Sequence, residues 1–396
     1  MGGALLQLVA KGNQDTHLIG NPNTTYFKNI YKRHTNFSFE SIEVNFNENV
    51  NFGVYSSAFI PRKGDLLHKI FLEVDLPALK SNVSWINGIG HHLIEYVELR
   101  MGGVLVDKIY GELLDVWSEL TTPIGQQGGY YKMVGKFASF NEASQTGSLK
   151  LFIPLPFWFC RDISRSLPLI SLQYTDIKVS VKFRTFDELW YKNTAAAAPT
   201  TRNITKAVLY CDFIFLDTYE RKQFAGMKED NILIEQFQVS DGHNVLANQT
   251  SSKIELNFNH SIKEIYWIYQ SDTYLAYNDW GNYSHTNISN KKPFTNIELK
   301  FNNNDRFKKR SAEYFRLVQP YNHHTRSPED YIYMYSFALH PERMQPSGSC
   351  NFSKLDSAIL LLEYQNSIGS GKVTVYAINY NILNIKNGMA GLMYSS

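Results

Sequence analysis

The chain has 396 residues, with 39 lysine and arginine residues against 37 aspartate and glutamate residues and a formal net charge of +2. This length suits two domains of ordinary size, and the near-neutral charge gives little support for nucleic-acid binding driven by counterion release. The 25 phenylalanines and 25 tyrosines favour large sheets with bulky cross-strand pairs over helical bundles.

The sparse cysteines and the apolar pattern indicate the compartment. Cys160, Cys211 and Cys350 lie far apart, so they form neither a disulfide framework nor a metal cluster and suit a reducing compartment. No apolar run approaches the roughly 18 residues that a spanning helix needs. The start, MGGALLQLVAK, lacks the basic region and cleavage site of a secretory signal.

The chain opens with an arm. Residues 4–9 are predicted to form one or two helical turns, which either pack on their own domain or bind a partner. Residues 26–33 place four apolar side chains at helical spacing. A strand is predicted at 37–46, where Ser41 breaks the alternation and suggests a β-bulge.

The next elements are strands and one clear helix. A strand is predicted at 65–76, and Gly102–Gly103 predicts the turn of a hairpin. Residues 110–120 carry apolar side chains on one helical face and acidic ones opposite. Residues 125–147 and 193–203 are predicted to be long loops.

Residues 151–184 form the segment around which the first domain is organised. Pro154 and Pro156 cannot donate to a sheet ladder, so the apolar run that holds them lies at a sheet edge or a corner between sheets. After a polar loop at 161–166, residues 177–183 alternate apolar and polar side chains, as in a half-buried strand. We therefore predict strand, corner, strand of an antiparallel sandwich.

A similar plan returns near the C-terminus. Residues 331–339 resemble a strand, residues 340–350 a turn-rich loop, and residues 358–364 a second strand. Asp176 and Asp356 stand just before the second strand in each copy. Two copies separated by about half the chain suggest two related domains.

The composition between the two copies places the domain boundary. A strand at 208–216 is followed by a polar, helical linker, and residues 271–294, rich in Asn and Ser, are predicted to be a long exposed loop. Short strands separated by turn signals predict a mostly β protein of two sandwiches. The predicted divisions are an N-terminal arm, 1–25; a first sandwich, 26–216; a linker, 217–231; and a second sandwich with a C-terminal tail, 232–396.

The sequence offers no catalytic constellation. His323 and His324, followed by Arg326, Glu329 and Asp330, invite a metal or acid–base site. Adjacent histidines point apart in an extended chain, so a hydrogen-bonded structural turn is the favoured interpretation. No nucleophile elbow, phosphate-binding loop or dinucleotide fingerprint is present. We predict no catalytic, cofactor-binding or metal-binding residues, no cofactor, and no enzymatic activity.

Seven collinear blocks run along nearly the whole chain. They are GNPNTTYFKNIYKRHTNFSFESI (20–42), VLVDKIYGELLDVWSELT (104–121), PLPFWFCRDISRSLPLISLQYTDIKVSVKFR (154–184), FIFLDTYERKQFA (213–225), LNFNHSIKEIYW (256–267), YFRLVQPYNHHTRSPEDYIYMYSFAL (314–339) and QPSGSCNFSKLDSA (345–358). The most specific block is the central one. Together the blocks resemble the major capsid proteins of nucleocytoplasmic large DNA viruses, a double jelly-roll family.

The resemblance implies an all-β fold of two consecutive antiparallel jelly-roll sandwiches with short helices in the loops. It implies a structural virion protein that homotrimerises into pseudo-hexameric capsomers, which tile an icosahedral shell assembled in the host cytoplasm. Expected partners are other copies of the chain, neighbouring capsomers, minor capsid proteins and, through the arm, an internal viral membrane. No sequence-specific nucleic-acid binding is expected.

Other functions remain open at this point. A carbohydrate-binding sandwich at a cell surface would use Trp280 and Tyr283 as an exposed platform, and a minor capsid paralogue would share the fold. An enzyme of the cupin type would need histidines and carboxylates on facing strands, where this chain has apolar residues. The residues expected to matter for fold integrity are Pro154, Pro156, Trp158, Pro168 and Gly348.

Overall fold

The computed structural model describes residues 2–79, 83–137, 148–191, 201–227, 229–240, 242–285 and 292–394. The chain divides into two compact units, Met1–Asn36 and Phe37–Ser396. The loop predicted at 193–203 lies outside the described residues up to position 200. In the described part of the chain, no helix has both the length and the apolar character needed to cross a membrane.

The first unit is an arm with two short helices, Gly3–Val9 (α1) and Thr16–Ile19 (α2). The helix predicted at 4–9 is confirmed as α1, and none of its residues is buried. The helical interpretation of residues 26–33 is wrong, because Tyr26 and Phe27 lie in a turn and are almost fully exposed. Apolar spacing over so few residues does not offset the cost of helix nucleation without a surface to pack on.

The first sandwich of the second unit consists of two antiparallel sheets with strand orders β1-β9-β3-β6 and β2-β8-β4-β5. Its strands are Phe37–Asn45 (β1), Tyr55–Phe59 (β2), Leu66–Leu76 (β3), Ile94–Met101 (β4), Val104–Tyr110 (β5), Leu149–Pro154 (β6), Leu167–Pro168 (β7), Ile177–Phe183 (β8) and Lys206–Leu216 (β9). Its helices are Ile89–His92 (α3), Gly111–Thr121 (α4), Ile124–Val134 (α5) and Trp158–Arg161 (α6).

The second sandwich follows the helix Thr218–Gly226 (α7), so the helical structure predicted for this polar segment is confirmed. Its sheets have strand orders β10-β19-β13-β16 and β12-β18-β14-β15. Its strands are Glu229–Val239 (β10), His243–Val245 (β11), Ser251–Glu255 (β12), Ser261–Ser271 (β13), Phe294–Phe301 (β14), Asn304–Ser311 (β15), Tyr333–Ser336 (β16), Cys350–Asn351 (β17), Ala358–Tyr364 (β18), Gly371–Lys386 (β19) and Met389–Leu392 (β20). Its helices are Asp272–Ala276 (α8) and Gln319–His323 (α9), and a π-helical turn, Tyr314–Val318, leads into α9.

The two sandwiches repeat one plan, as the sequence predicted. In each, the edge strand of one sheet (β6 or β16) leads through a corner into an inner strand of the other sheet (β8 or β18). The corner contributes a two-residue strand to a central strand, because β7 pairs with β3 and β17 pairs with β13. The organising segment therefore has the predicted strand, corner, strand structure in both sandwiches.

The repeat extends to local irregularities. The register of β3 shifts between Leu67 and Lys69, and that of β13 shifts between Ile262 and Glu264. The β4–β5 hairpin turns at Gly102 and Gly103, as predicted, with φ of 56° and 83°. The β14–β15 hairpin turns at two asparagines, 302 and 303, also with positive φ. Glycine and asparagine are the residues that tolerate this backbone conformation best.

The predicted bulge at Ser41 is wrong, because β1 pairs with β9 in an unbroken register. The alternation breaks for a different reason. Ile42 and Val44 point towards the core, whereas Phe37 and Phe39 are about half exposed on the other face. The strand thus carries apolar side chains on both faces, one set turned towards the core and the other about half exposed.

The long loop predicted at 125–147 is wrong over its first part, where α5 forms, and residues 138–147 lie outside the described residues. Glycines in α5 each disfavour a helix by about 1 kcal/mol. Tertiary packing compensates: Val134 is fully buried, and the hydroxyl of Tyr130 lies 2.8 Å from Nε2 of His91.

The cores are continuous between the sandwiches. One cluster of buried side chains fills the first sandwich and extends to Ile234, Phe237, Tyr266 and Ile378 of the second. A separate cluster fills the interior of the second sandwich. The contact between the sandwiches is therefore packed like a protein interior. Residues in this contact can serve assembly by holding the two sandwiches together.

Candidate functional site

The seam between the two sandwiches is where β5 of the first meets β10 of the second. The amide of Phe237 donates to Oδ1 of Asp107 at 3.0 Å, and the side-chain amide of Gln236 donates to the carbonyl of Val106. Burial raises the pKa of Asp107 to about 7, although the amides of Phe237 and Lys108 act in the opposite direction. Main-chain and side-chain hydrogen bonds thus fix the register of one sandwich against the other.

A buried ion cluster continues the seam. Nη1 of Arg161 and Nζ of Lys263 both lie 2.7 Å from Oε2 of Glu235. The guanidinium of Arg161 also lies over the rings of Trp117 and Phe237, at 4.4 and 4.7 Å. Burial lowers the pKa of Lys263, and the negative charge of Glu235 opposes this shift. Removing one partner would leave buried charge uncompensated, so this cluster ties the corner of the first sandwich to β10.

The adjacent histidines have separate environments. Nε2 of His324 lies 3.0 Å from Glu264 and Nδ1 lies 2.9 Å from Glu342, whereas Nδ1 of His323 lies 3.2 Å from the carbonyl of Leu339. Burial disfavours the charged imidazole, but the two carboxylates outweigh it and raise the pKa of His324 to about 9. His324 is therefore a doubly paired imidazolium at neutral pH.

The other residues of that motif do not join the histidines. Arg326 reaches α4, where it pairs with a buried glutamate at 2.7 Å. Asp330 lies 3.7 Å from Lys136, and the carbonyl of Glu329 accepts from Arg316 at 2.8 Å. Among the described residues, no group of three or more His, Cys, Asp or Glu side chains is placed to hold a metal ion.

A second buried network lies around Lys136. Its Nζ is 3.0 Å from Asp115 and 2.8 Å from Glu119, both on α4. Asp115 also faces Nδ1 of His91 at 3.2 Å and accepts from the hydroxyl of Tyr283 at 3.1 Å. Burial works against the charge of Lys136, but the surrounding carboxylates prevail and hold its pKa well above the usual value. This network connects α4 to a segment of the second sandwich.

That segment corrects the exposed loop predicted at 271–294. It contains α8, and residues 283–285 are buried. The amide of Asn278, itself buried, donates to the carbonyls of Asp187 and Trp190 at 2.9 and 2.7 Å. Polar composition misled the prediction because these side chains bond to main chain of the first sandwich rather than to water. Residues 286–291 lie outside the described residues.

The sugar platform postulated for this segment is also wrong. Tyr283 is 1% exposed, with its hydroxyl on Asp115. The indole N–H of Trp280 donates to the carbonyl of Glu188 at 3.0 Å, and the guanidinium of Arg184 covers the ring at 3.9 Å. Tyr283 is buried and a guanidinium lies over the ring of Trp280, so the two rings do not form the exposed platform that was predicted.

The residues singled out for fold integrity lie at the corners. Pro154 ends edge strand β6, Pro168 is buried in β7, and Trp158 is fully buried. The carbonyl of Pro156 accepts from Nε of a neighbouring arginine at 2.9 Å. At Gly348, where φ is 135°, a Cβ would lie 2.6 Å from a backbone oxygen, so only glycine fits.

The three cysteines are free. Burial raises the pKa of Cys160 far above its usual value and that of Cys211 to about 12. Burial also raises the pKa of Cys350. None is poised as a thiolate at neutral pH.

Sequence reasoning missed the buried ion clusters. The partners of Arg161 and Arg326 lie far away along the chain, so no local spacing reveals the pairs. A signal did exist: Lys263 and Glu264 are followed by the apolar run of residues 265–269 in β13, where every residue after the first is buried. A charged pair at such a place requires partners.

Two family models match the chain, one for each half. The model of the family described as "Major capsid protein N-terminus" matches residues 25–217, and that of "Large eukaryotic DNA virus major capsid protein" matches residues 220–391. The chain is 40% identical to the major capsid protein of Pyramimonas orientalis virus and 32% identical to that of Paramecium bursaria Chlorella virus 1, with both chains fully covered in each case.

Solved structures show the same likeness. The chain of PBCV-1 VP54 superposes with a TM-score of 0.83 and 29% identity, covering 94% of this chain and all of that one. The Faustovirus major capsid protein superposes with a TM-score of 0.77 at 12% identity, which is a likeness of fold. Both comparisons agree with the repeated sandwich plan.

Proposed function

The chain belongs to the family of large eukaryotic DNA virus major capsid proteins and is a structural component of the virion capsid; from this premise, we propose that it acts as a homotrimer. Three chains bring six sandwiches of one topology, which supports a pseudo-hexameric capsomer able to tile an icosahedral shell. The observation that carries the proposal is the identical strand order of the two sandwiches, joined by a core-like seam.

The trimer is tested by native mass measurement of the purified protein. We expect a mass of three chains, because permanent homo-oligomers commonly bury more than about 2,000 Å² and do not dissociate at micromolar concentration. A folded monomer at that concentration would contradict the proposal and leave the minor capsid paralogue as the better assignment.

We propose the domain divisions 1–25, 26–216, 217–231 and 232–396. In support, strands up to Leu216 form the first pair of sheets, and α7 separates them from the second pair. β10 begins at Glu229, inside the proposed linker. Limited proteolysis tests the divisions, with the first cleavages expected in the arm and around α7.

The arm is proposed to face the interior of the particle, where it contacts minor capsid proteins or an internal membrane surface. Leu5, Leu6, Leu8 and Val9 of α1 are all more than half exposed. Deleting residues 2–13 should leave the trimer intact and impair shell assembly, measured by the yield of particles. Loss of soluble trimer would instead show that the arm belongs to the fold.

The remaining contacts are with neighbouring capsomers, and we propose that shells assemble in the host cytoplasm. The proposed role is structural, without catalysis, cofactor or sequence-specific nucleic-acid binding. A carbohydrate-binding role loses its supporting observation because Trp280 and Tyr283 are covered. Thermal stabilisation of the protein by added sugars, which mass action would produce for a true ligand, would revive it.

A further inference from the structure

The two sandwiches use equivalent edge strands differently. β10 is the end strand of its sheet and is covered by β5 of the first sandwich. β1 occupies the equivalent end position and pairs only with β9 within the described residues. β15, which is equivalent to β5, is likewise the end strand of its sheet. The chain makes one such contact internally, between β5 and β10. The equivalent edges, β15 and β1, do not meet each other within the chain.

The strand pairings match β1 to β10 residue by residue. Leu66 of β3 lies between the corner strand β7 and Ile214 of β9, and Ser261 of β13 lies between the corner strand β17 and Tyr380 of β19. Leu66 and Ser261 are therefore equivalent, and so are their partners Ile214 and Tyr380. Ile214 pairs with Phe39. Tyr380 pairs with Glu235. Phe39 therefore corresponds to Glu235, and the next residue, Glu40, corresponds to Gln236.

The same procedure matches β15 to β5. Arg100 pairs with Leu105 in the first sandwich, and Lys300 pairs with Asp305 in the second. Both hairpins shift register next to this pair, so Leu105 corresponds to Asp305. The next residues along the two strands, Val106 and Arg306, then correspond as well. Inside the chain, Gln236 donates to the carbonyl of Val106. At the matched positions of the two unused edges stand a glutamate, Glu40, and an arginine, Arg306.

Charge on the two edges is complementary beyond this pair. β15 carries Arg306, Lys308, Lys309 and Arg310, and of these only Lys309 has a carboxylate partner among the described residues. β1 carries two glutamates and no cation, and Glu40 has no ion-pair partner in the part of the chain that the structure describes. Basic side chains at a sheet edge also discourage unspecific edge pairing. The acidic counterpart on β1 is what indicates a specific partner.

Apolar surface is also complementary. Phe37 and Phe39 are 46% and 49% exposed and pack edge to face, with ring centroids 5.5 Å apart. The π-helical turn after β15 exposes Leu317 and Val318 by more than 40% each. In the first sandwich, the helix that follows β5 packs its Trp117 against β10. After β15, the corresponding helical turn leaves Leu317 and Val318 partly exposed.

We propose that β15 and the turn that follows it bind β1 of a second copy of this chain, in the register that β5 and β10 use within the chain. Arg306 then faces Glu40 of the neighbouring copy, and Phe39 packs on Leu317 and Val318. The contact joins two different surfaces, so it is head-to-tail and closes into a ring. This inference rests on the proposed trimer and specifies the contact between its subunits.

A charge-swap cycle tests the register. E40R and R306E each place like charges together and should weaken the trimer at least about tenfold, measured by sedimentation across a dilution series. The double variant E40R/R306E should return the dissociation constant to within about threefold of the original. E255R, at an exposed acid on β12, is the matched control and should leave it unchanged.

An apolar pair of variants provides a second measurement. Phe39→Ser should dissociate the trimer, whereas Phe59→Ser, at a 51% exposed phenylalanine on β2, should not. Circular dichroism melting confirms that each variant folds. Trimers that survive both single charge reversals, or singles that dissociate without rescue by the double variant, overturn this contact and leave the trimer standing. An unaltered chain that is monomeric overturns the proposed function itself.

Discussion

The two sandwiches share strand order, a bulge in the central strand and a turn of positive φ, yet they differ in what covers their edges. At one matched position of the end strand, the second sandwich has Glu235, buried in an ion cluster, and the first has Phe39, half exposed. The topology sets which positions can form contacts. The side chain at each position then depends on whether the partner lies in the same chain.

The bulged residues show the same division between plan and chemistry. His68 lies at the bulge of β3 with Nδ1 2.9 Å from the carbonyl of Phe159. Lys263 lies at the bulge of β13 and donates to the carbonyl of Pro341 at 2.5 Å. Both side chains satisfy a carbonyl of the corner. Lys263 also forms an ion pair with Glu235.

The largest expected effect comes from breaking the shared plan itself. A Gly-Ser insertion after Val179 in β8, or after Leu360 at the equivalent place in β18, should abolish soluble protein, because the two extra residues displace the rest of a buried strand from its cross-strand partners. The same insertion after Ala247, in an exposed turn, should cost only about 0.6 kcal/mol. Equal yields from all three insertion variants would contradict the shared role of the two strands.

The second-largest effect is expected from removing one partner of the buried ion cluster at the seam. Glu235→Ala leaves Arg161 and Lys263 without their common partner and should lower the free energy of unfolding by about 3–5 kcal/mol, measured by urea denaturation. Glu43→Ala, on the exposed face of β1, serves as control and should leave stability nearly unchanged, because its pairing with Lys206 is screened by water. A comparable loss of stability in both variants would show that the buried pairs of the seam contribute no more than an exposed ion pair.

The segment between α8 and β14 gives a moderate effect. Its polar composition predicts that a Gly-Ser insertion after Asn282 changes Tm by no more than about 2 °C. The contacts of Asn278 and Tyr283 with the first sandwich predict a loss of about 2 kcal/mol, or roughly 4–8 °C, because buried donors lose their acceptors. Differential scanning calorimetry separates the two outcomes.

A pH-dependent difference sharpens the comparison, because the His324 cluster belongs to the second sandwich alone. The pKa of His324 is raised to about 9 in the fold, above the unfolded value of about 6.5. Its contribution to stability is therefore complete below pH 6.5 and disappears as pH rises through 9. The Tm difference between the unaltered chain and His324→Gln should be largest at pH 6 and shrink by pH 9.5.

The smallest effect is expected from reductant and chelator together. The free cysteines predict that the Tm stays within about 2 °C of its value without them. A larger fall would show a contribution from a disulfide or a metal ion to the stability of either sandwich. Adding the two reagents separately would then identify which one is responsible.

The sequence by itself determined most of the strands, the repeat and the family, although β2 and β15 were not predicted from it. Alternation at 177–183, the two glycines of the first hairpin and the prolines of the corner are local signals, because each reports the backbone or the face of its own element. The order of these signals along the chain was sufficient for two sandwiches. No pairing between distant residues was needed for that conclusion.

Only the tertiary structure decided which polar side chains are buried and what they contact. Arg161 and Glu235 lie 74 positions apart, and Asp115 and Tyr283 lie 168 apart. Asn278 resembles a loop residue in sequence and is buried in the fold. The physical reason is that a hydrogen bond or ion pair depends on distance in space, whereas hydrophobic periodicity reports only which face of an element is covered.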